Sequence, residues 1–262
     1  MYHKGGFPIG NAGNGHPGNG IATYSCAMTQ DYRLHYAPDN ASLVIRLALE
    51  ELGQPYECVL VDRRAETQNS AGYRALNPNG LIPVLETPDG PVFETAAILL
   101  WLADRHGAMA PATDSPDRAA FLKWLFFASN TLHADLRMLF YPDKYIGDAK
   151  ADQDQLQTVL RQRLHQHLAN LDQAAAQRPG WLGAPQPSVL DCYLACQIRW
   201  MALYPAQADK SWFTLTRYPS LLRICAGLEN RPAVAKAQEA EGLGATPFTS
   251  PAFANPPEGS AT

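Results

Sequence analysis

Apolar positions recur with two different periods along this chain, and the change of period divides it. Between residues 32 and 94 short apolar runs alternate with helical spacing. Tyr32 to Tyr36 reads as a strand. Pro38-Asp39-Asn40-Ala41 is a turn whose Asp or Asn can cap a helix. Leu43, Ile45, Leu47, Leu49 and Leu52 predict a helix from Ser42 that stops at Gly53. Tyr56 to Val61 is a second strand, and Ala65 to Leu76 a short helix. After the turn at Asn77-Pro78-Asn79-Gly80, Leu81–Leu85 and Val92–Glu94 flank Pro88-Asp89-Gly90 as a hairpin. Thr95 to Asp104 is a strongly apolar helix ending near Gly107.

Beyond a polar connector over 108–115 the strand signals vanish. Helical spacing covers Pro116–Leu139, Gln153–Ala176, Val189–Tyr204, Ser220–Glu229 and Pro232–Glu241. The Val189–Tyr204 segment is apolar nearly all round, which predicts the buried centre. The expected division is a disordered leader (1–30), an α/β domain (31–107), an all-helical domain (116–242) and a flexible tail (243–262). Strand, helix, strand, helix, strand, strand, helix is the element order of a thioredoxin-like domain. The order alone does not give the fold.

Composition narrows the function classes. The formal net charge is -4, so no basic field gathers nucleic acid. No apolar stretch approaches the ~20 residues that span a bilayer, so no membrane partner is expected. The five cysteines, Cys26, Cys58, Cys192, Cys196 and Cys225, contain no CxxC. Free thiols in a reducing, cytoplasmic compartment are the simplest reading. Cys192 and Cys196 fall in an apolar helical pattern and are expected to pack in the core. His165 and His167 point to different sides of a helix, and no metal site is expected.

Four motifs, in order, resemble the glutathione transferase superfamily. Asn77-Pro-Asn-Gly-Leu-Ile-Pro-Val-Leu85 is similar to its N-P-x-G-x-[IV]-P-x-L segment. The resemblance implies a cis Pro83 and an Ile82 backbone that pairs with the cysteinyl part of glutathione. A trans proline on an edge strand is the alternative reading of Ile-Pro-Val by itself. Glu94-Thr95, opening an apolar helix, looks like the family's Glu-Ser pair, which holds the γ-glutamyl ammonium and carboxylate. A routine Thr cap is the alternative. Ser188-Val-Leu-Asp191 resembles a capping box with a structural role, and Arg231-Pro-Ala-Val-Ala235 the family's R-P-x-V segment. A two-domain fold, glutathione as co-substrate and a homodimer are what the resemblance implies.

The thiol-activating position lies at the end of the first strand. Tyr36-Ala-Pro-Asp-Asn-Ala-Ser-Leu43 resembles the bacterial beta-class Y-x-P-x-A-C-S-L, with Ala41 where that class has cysteine. Ser42 is expected to donate a hydrogen bond to the sulfur, or else to contact only backbone in the first helical turn. Asn40 is the second candidate donor, or else an N-cap. Arg63, Arg64 and Thr67 follow the second strand, where the family often has a basic residue near the glycyl carboxylate, and Arg64 is taken as the candidate; a solvated charge is the alternative. Asp104 sits where a family acid can reach glutathione across the dimer. His133 falls in a stretch that resembles the beta-class E-x-H-K, although Ala134 replaces the lysine; the resemblance implies that it faces glutathione or substrate, and a satisfied structural histidine is the alternative. Tyr141, with Tyr145 and Trp200 as further candidates, is expected to wall the second-substrate pocket.

Conjugation of glutathione thiolate to a small hydrophobic electrophile is therefore the leading expectation. A glutathione-dependent disulfide-bond reductase and a non-catalytic glutathione-binding protein are the alternatives. The leader is rich in Gly and Asn and has no apolar core of a signal peptide. Met28 is expected to be the natural start. Mass spectrometry of the protein from its native host tests this: peptides from residues 1–27 would overturn it.

Overall fold

A computed structural model describes residues 31–260. The leader, with Cys26 and Met28, lies outside the described residues. Strand β1 (Tyr32–Tyr36) turns Tyr32, Leu34 and Tyr36 to one face and Arg33 and His35 to the other, as the two-residue period of a strand requires. Arg33 bonds Glu57 and Glu86 on the two flanking strands. Strand β2 (Tyr56–Leu60) pairs parallel to β1, and β3 (Val84–Thr87) pairs antiparallel to it. Strand β4 (Gly90–Phe93) closes the hairpin with β3, giving the order β2-β1-β3-β4. The parallel pair is linked through α1 (Ser42–Glu51), which is buried along most of its length. Helix α2 (Ala71–Leu76) covers the His35 face through Tyr73, preceded by a 3₁₀ turn at Thr67–Asn69. Helix α3 (Thr95–His106) joins α1 on the other face. This is the thioredoxin-like arrangement expected from the element order.

In the helical domain the run expected over 116–139 is interrupted. Helix α4 (Arg118–Phe127) passes through a π-helical turn, Ala128–His133, into α5 (Ala134–Phe140). The Gln197 amide nitrogen donates to the Ala128 carbonyl, 2.9 Å, as insertion of a side chain into a helix ladder predicts. A short α6 (Asp143–Ile146) leads to the long α7 (Lys150–Ala176). Helix α8 (Val189–Leu203) is buried almost throughout and takes in Cys192 and Cys196, while α9 (Pro219–Glu229) and α10 (Pro232–Glu241) complete the bundle. The Ser188 capping box is formed in both directions: the hydroxyl accepts from Asp191 N–H, and the Asp191 carboxylate accepts from Ser188 N–H.

Residues 243–260, expected to be a flexible tail, are instead packed onto both domains. Phe248 is buried, and the Phe248 and Thr249 amides both donate to Glu229. Gly242 permits the reversal: its φ is +63°, and a Cβ there would lie 2.0 Å from the Asn255 carbonyl oxygen. The segment lacks a hydrophobic period because backbone carbonyls, not an apolar face, hold it.

Those carbonyls meet Arg199 of α8, which is fully buried. Its guanidinium grips the buried Asp39 carboxylate with two 2.8 Å bonds and donates its other hydrogens to Pro247, Ala252 and Leu243 carbonyls. Breaking a buried pair from one side strands the other charge, at a cost of about 3–5 kcal/mol. Asp39→Ala is expected to lose stability by about that much in urea denaturation; a loss below about 1 kcal/mol, the worth of an exposed pair, would show that Arg199 is not held as described.

Candidate functional site

Strand register brings the motifs to one end of the sheet. His35 pairs with Val84, and Val84 with Phe93. One residue further on, the end of β1, the Ile82-Pro83 bond and Glu94 therefore stand on three adjacent strands, at a spacing of about 4.8 Å per strand. Val61, closing β2 at the same end, donates its amide to the Tyr36 carbonyl, 2.8 Å. The loop 61–64 so joins the same rim.

The Ile82-Pro83 peptide is cis. Tyr73 and Asn77 both donate to the Leu81 carbonyl and fix the approach to it. Among the described residues no hydrogen bond uses the Ile82 amide or carbonyl. That donor and acceptor are open to an extended ligand, which can pair with them as another strand would.

Glu94 carries φ +71° and ψ +115°, a conformation that costs a non-glycine residue of order 1–3 kcal/mol. Its carbonyl still receives Ile98 N–H, so the distortion turns the peptide at the start of α3 without breaking the helix. The Glu94 side chain is exposed, Thr95 is buried, and no side chain caps this end. The first-turn amides are free to hold an anion, and the carboxylate beside them can hold a cation. A zwitterionic group fits this pair.

At the start of α1 the structure separates Ser42 from Asn40. Ser42, the expected sulfur donor, is fully buried, and its hydroxyl folds back onto the end of β1. It donates to the Ala37 carbonyl at 3.0 Å and accepts from the Ala37 amide at 3.3 Å. A hydroxyl has one proton, and Ala37 holds it. Asn40 is half-buried; its side-chain oxygen accepts from Ala41 N–H at 2.7 Å, which leaves the amide hydrogens available at the mouth of the helix. Ala41 is half-buried as well, without a thiol.

The turn chemistry marks Asp39, between Pro38 and Asn40, only as a possible cap. It adopts φ +49° and is 4% exposed. Beyond Arg199, its carboxylate accepts from Trp200 Nε1 at 3.1 Å and from the Tyr204 hydroxyl at 2.7 Å. Its amide donates to Glu241 at 2.7 Å, and Glu241 in turn pairs with the buried Arg46 of α1 at 2.7 Å. The sequence signal was present: a lone arginine in the most apolar helix demands a buried carboxylate.

The basic residue on the rim is Arg63 rather than Arg64. Arg64 is exposed and points out, whereas Arg63 Nη2 reaches the Tyr141 hydroxyl across the domain boundary at 3.4 Å. The sequence could not choose between neighbours, because the loop between β2 and the 3₁₀ turn can present either. Tyr141 thus stands at the cleft, whereas Tyr145 is exposed beside Arg137. Asp104 pairs with Arg118 of the same chain at 2.8 Å. His133, at the end of the π turn, shares a 2.7 Å hydrogen bond with the Tyr193 hydroxyl and lies against Trp200. Burial pushes the Tyr193 hydroxyl up, and among nearby charges the Glu94 carboxylate acts in the same direction. Two surface cavities, of about 310 and 450 Å³, share no residue with this rim. Among the described residues no His, Cys, Asp and Glu cluster is placed to hold a metal ion, and no helix is long and apolar enough to cross a membrane.

Fold and cradle together define a two-domain protein: a thioredoxin-like domain that offers an extended peptide a place at its rim, and a helical domain that walls it. The family of glutathione S-transferase N-terminal domains matches residues 41–105, and that of the C-terminal domains residues 148–227. A glutathione S-transferase of Escherichia coli O157:H7 is 28% identical over 216 residues, 80% of this chain and 99% of its own. The disulfide-bond oxidoreductase YfcG of Escherichia coli strain K12 is 28% identical over 211 residues, 78% of this chain and 93% of its own. A sphingomonad glutathione S-transferase, solved in complex with glutathione, is similar at a TM-score of 0.66 and 32% identity, over 81% of this chain and 100% of that one. The chain belongs to the glutathione S-transferase family.

Burial, and then the Arg137 charge, lower the His133 pKa from 6.5 to about 4. Between those values the unfolded chain binds a proton that the folded chain does not, so this residue's share of stability is lost as pH falls through that window. Imidazole nitrogen shifts should accordingly report a neutral His133 down to about pH 5. Protonation near 6.5 would show that the ring is solvated.

Proposed function

We propose that this protein is a glutathione transferase that conjugates the glutathione thiolate to small hydrophobic electrophiles. The observation that carries the reading is the rim itself: an open Ile82 backbone, an uncapped α3 start beside Glu94, and the start of α1, all at one end of the sheet. Each matches a part of glutathione. The γ-glutamyl carboxylate goes to the α3 amides, its ammonium to Glu94, and the cysteinyl peptide to Ile82. The sulfur then reaches the start of α1, where the helix N-terminus and the Asn40 amide favour the thiolate.

The reaction needs little more. The thiolate attacks the electrophilic carbon, a carbon–sulfur bond forms, and the leaving group departs with its electron pair. Arg63, Tyr141, His133 and the rings near them supply the wall against which the electrophile is aligned. We assign the protein to the cytoplasm, which its free buried thiols favour, and expect a homodimer from the family.

A second reading is disulfide-bond reduction, favoured by the likeness to YfcG; with no thiol at Ala41, two glutathiones rather than a protein thiol would carry it. Ultraviolet absorbance of the bound thiolate, titrated against pH, separates the candidates. Asn40→Ala is expected to raise the bound thiol toward its free value of about 8.5. The same change should lower kcat/KM with a chlorinated nitroaromatic by about 100-fold, the loss of one placed donor. Ser42→Ala should act mainly on stability. A raised thiol pKa in the Ser42 variant, with none in the Asn40 variant, would return the role to Ser42. Turnover of a glutathione mixed disulfide without conjugation would favour the second reading.

A further inference from the structure

The chain carries a formal net charge of -4, yet one border of the cleft runs against that sign. Helices α5 and α6 supply most of it. Arg137 lies one turn beyond His133, so the two side chains share a face of α5. His133 lies against Trp200, whose indole nitrogen donates to Asp39 in the loop that presents Asn40. Lys144, on α6, sits over the Tyr141 ring with its nitrogen 4.7 Å from the centroid. The Tyr141 hydroxyl in turn meets Arg63 of the thioredoxin-like domain at 3.4 Å. Three cations thus border one cleft.

On the helical side these charges are held by rings rather than by acids. Arg137 donates to the Tyr145 hydroxyl at 2.6 Å, and its guanidinium lies 5.8 Å from the centroid of that ring. Among the described residues neither Arg137 nor Lys144 enters a salt bridge, and Asp143, exposed beside Lys144, enters none either. Two other carboxylates are taken up elsewhere: Asp62 accepts from the Arg64 and Ala65 amides, and Asp135 pairs with Arg163 and His167. A ring contact attracts a cation without neutralising it. A guanidinium carries five N–H donors and an ammonium three, so most of these hydrogens remain for a ligand. After burial, the Arg137 charge is what lowers the His133 pKa, so its field reaches that ring.

We propose that Arg137 and Lys144 make the second-substrate cleft selective for anionic electrophiles, those that carry a carboxylate at the end remote from the reacting carbon. The inference rests on the glutathione-conjugation reading above and names its substrate class. A carboxylate that reaches this border gains charge-assisted hydrogen bonds, whereas its amide analogue gains only the weaker neutral kind.

Calorimetric binding of three glutathione derivatives tests it without turnover. S-methylglutathione fills the cradle alone. S-(para-carboxybenzyl)glutathione and S-(para-carbamoylbenzyl)glutathione add the same ring at the sulfur, one ending in a carboxylate and the other in a neutral amide. The native protein is expected to bind the carboxylate about 10-fold more tightly than the amide at low ionic strength. Screening should shrink that preference to about 3-fold in about 0.5 M salt. Arg137→Gln combined with Lys144→Gln should abolish the preference and leave the affinity for S-methylglutathione unchanged. Arg137→Lys combined with Lys144→Arg, which keeps both charges, should retain most of it. Equal binding of the two benzyl derivatives by the native protein, or a preference that survives in the glutamine variant, overturns the proposal and leaves the glutathione cradle standing. Failure of the native protein to bind S-methylglutathione overturns the cradle, and the conjugation reading and this proposal with it.

Discussion

The buried contact between Asp39 and Arg199 organises this molecule. A guanidinium at full burial is stable only if every hydrogen meets an acceptor, and Arg199 meets that condition by drawing on three parts of the chain. Asp39 comes from the loop after β1, Arg199 from the central helix, and the carbonyls from the segment 243–260. Asp39 in turn draws in Glu241 through its amide and, through Glu241, the buried Arg46 of α1. Burial pushes the Glu241 carboxyl up, while Arg46 opposes that shift. Asp39, Arg199, Glu241 and Arg46 thus tie the loop after β1 to α8, α10 and α1. Such a network fixes position more than it adds stability, because desolvation of its charges offsets much of their attraction. The loop it fixes is the one from which Asn40 is presented.

The rest of the rim needs no such device, because strand pairing aligns it. With β1 parallel to β2 and antiparallel to β3, the end of β1 coincides with the start of β3 and the end of β4. Slipping β3 by a residue would move Ile82 off the rim and turn Leu85 out of the core. The register is therefore protected by hydrophobic burial, and the ligand-facing backbone inherits that protection. Glu94 is the exception. It holds a costly backbone conformation at the point where an exposed carboxylate and free helix amides must face one ligand.

Most of the fold was legible in the sequence where period carried the information. The two-residue period of β1, the helical period of α1 and the apolar centre at α8 predicted the elements to within a few residues. Three features depend on a single side chain or backbone group and were not legible. The helix over 116–139 carries a π turn because Gln197 captures the Ala128 carbonyl, a contact between residues far apart in sequence. Ser42 spends its one proton on Ala37, which no spacing reveals. The tail is packed by its own carbonyls on Arg199 and so leaves no hydrophobic period to read.

By itself the sequence determined which segments become strands and helices, and its motifs resemble those of the glutathione transferase superfamily. Those are local properties: side-chain period, turn chemistry and caps act within a few residues. Only the tertiary structure decided that Ala37 holds the Ser42 hydroxyl, that Arg63 and not Arg64 reaches Tyr141, and that the last described residues pack against the loop after β1. Each of those depends on who satisfies whom among buried polar groups. That matching is made between residues as far apart as Asp39 and Arg199, and it exists only once the chain is folded.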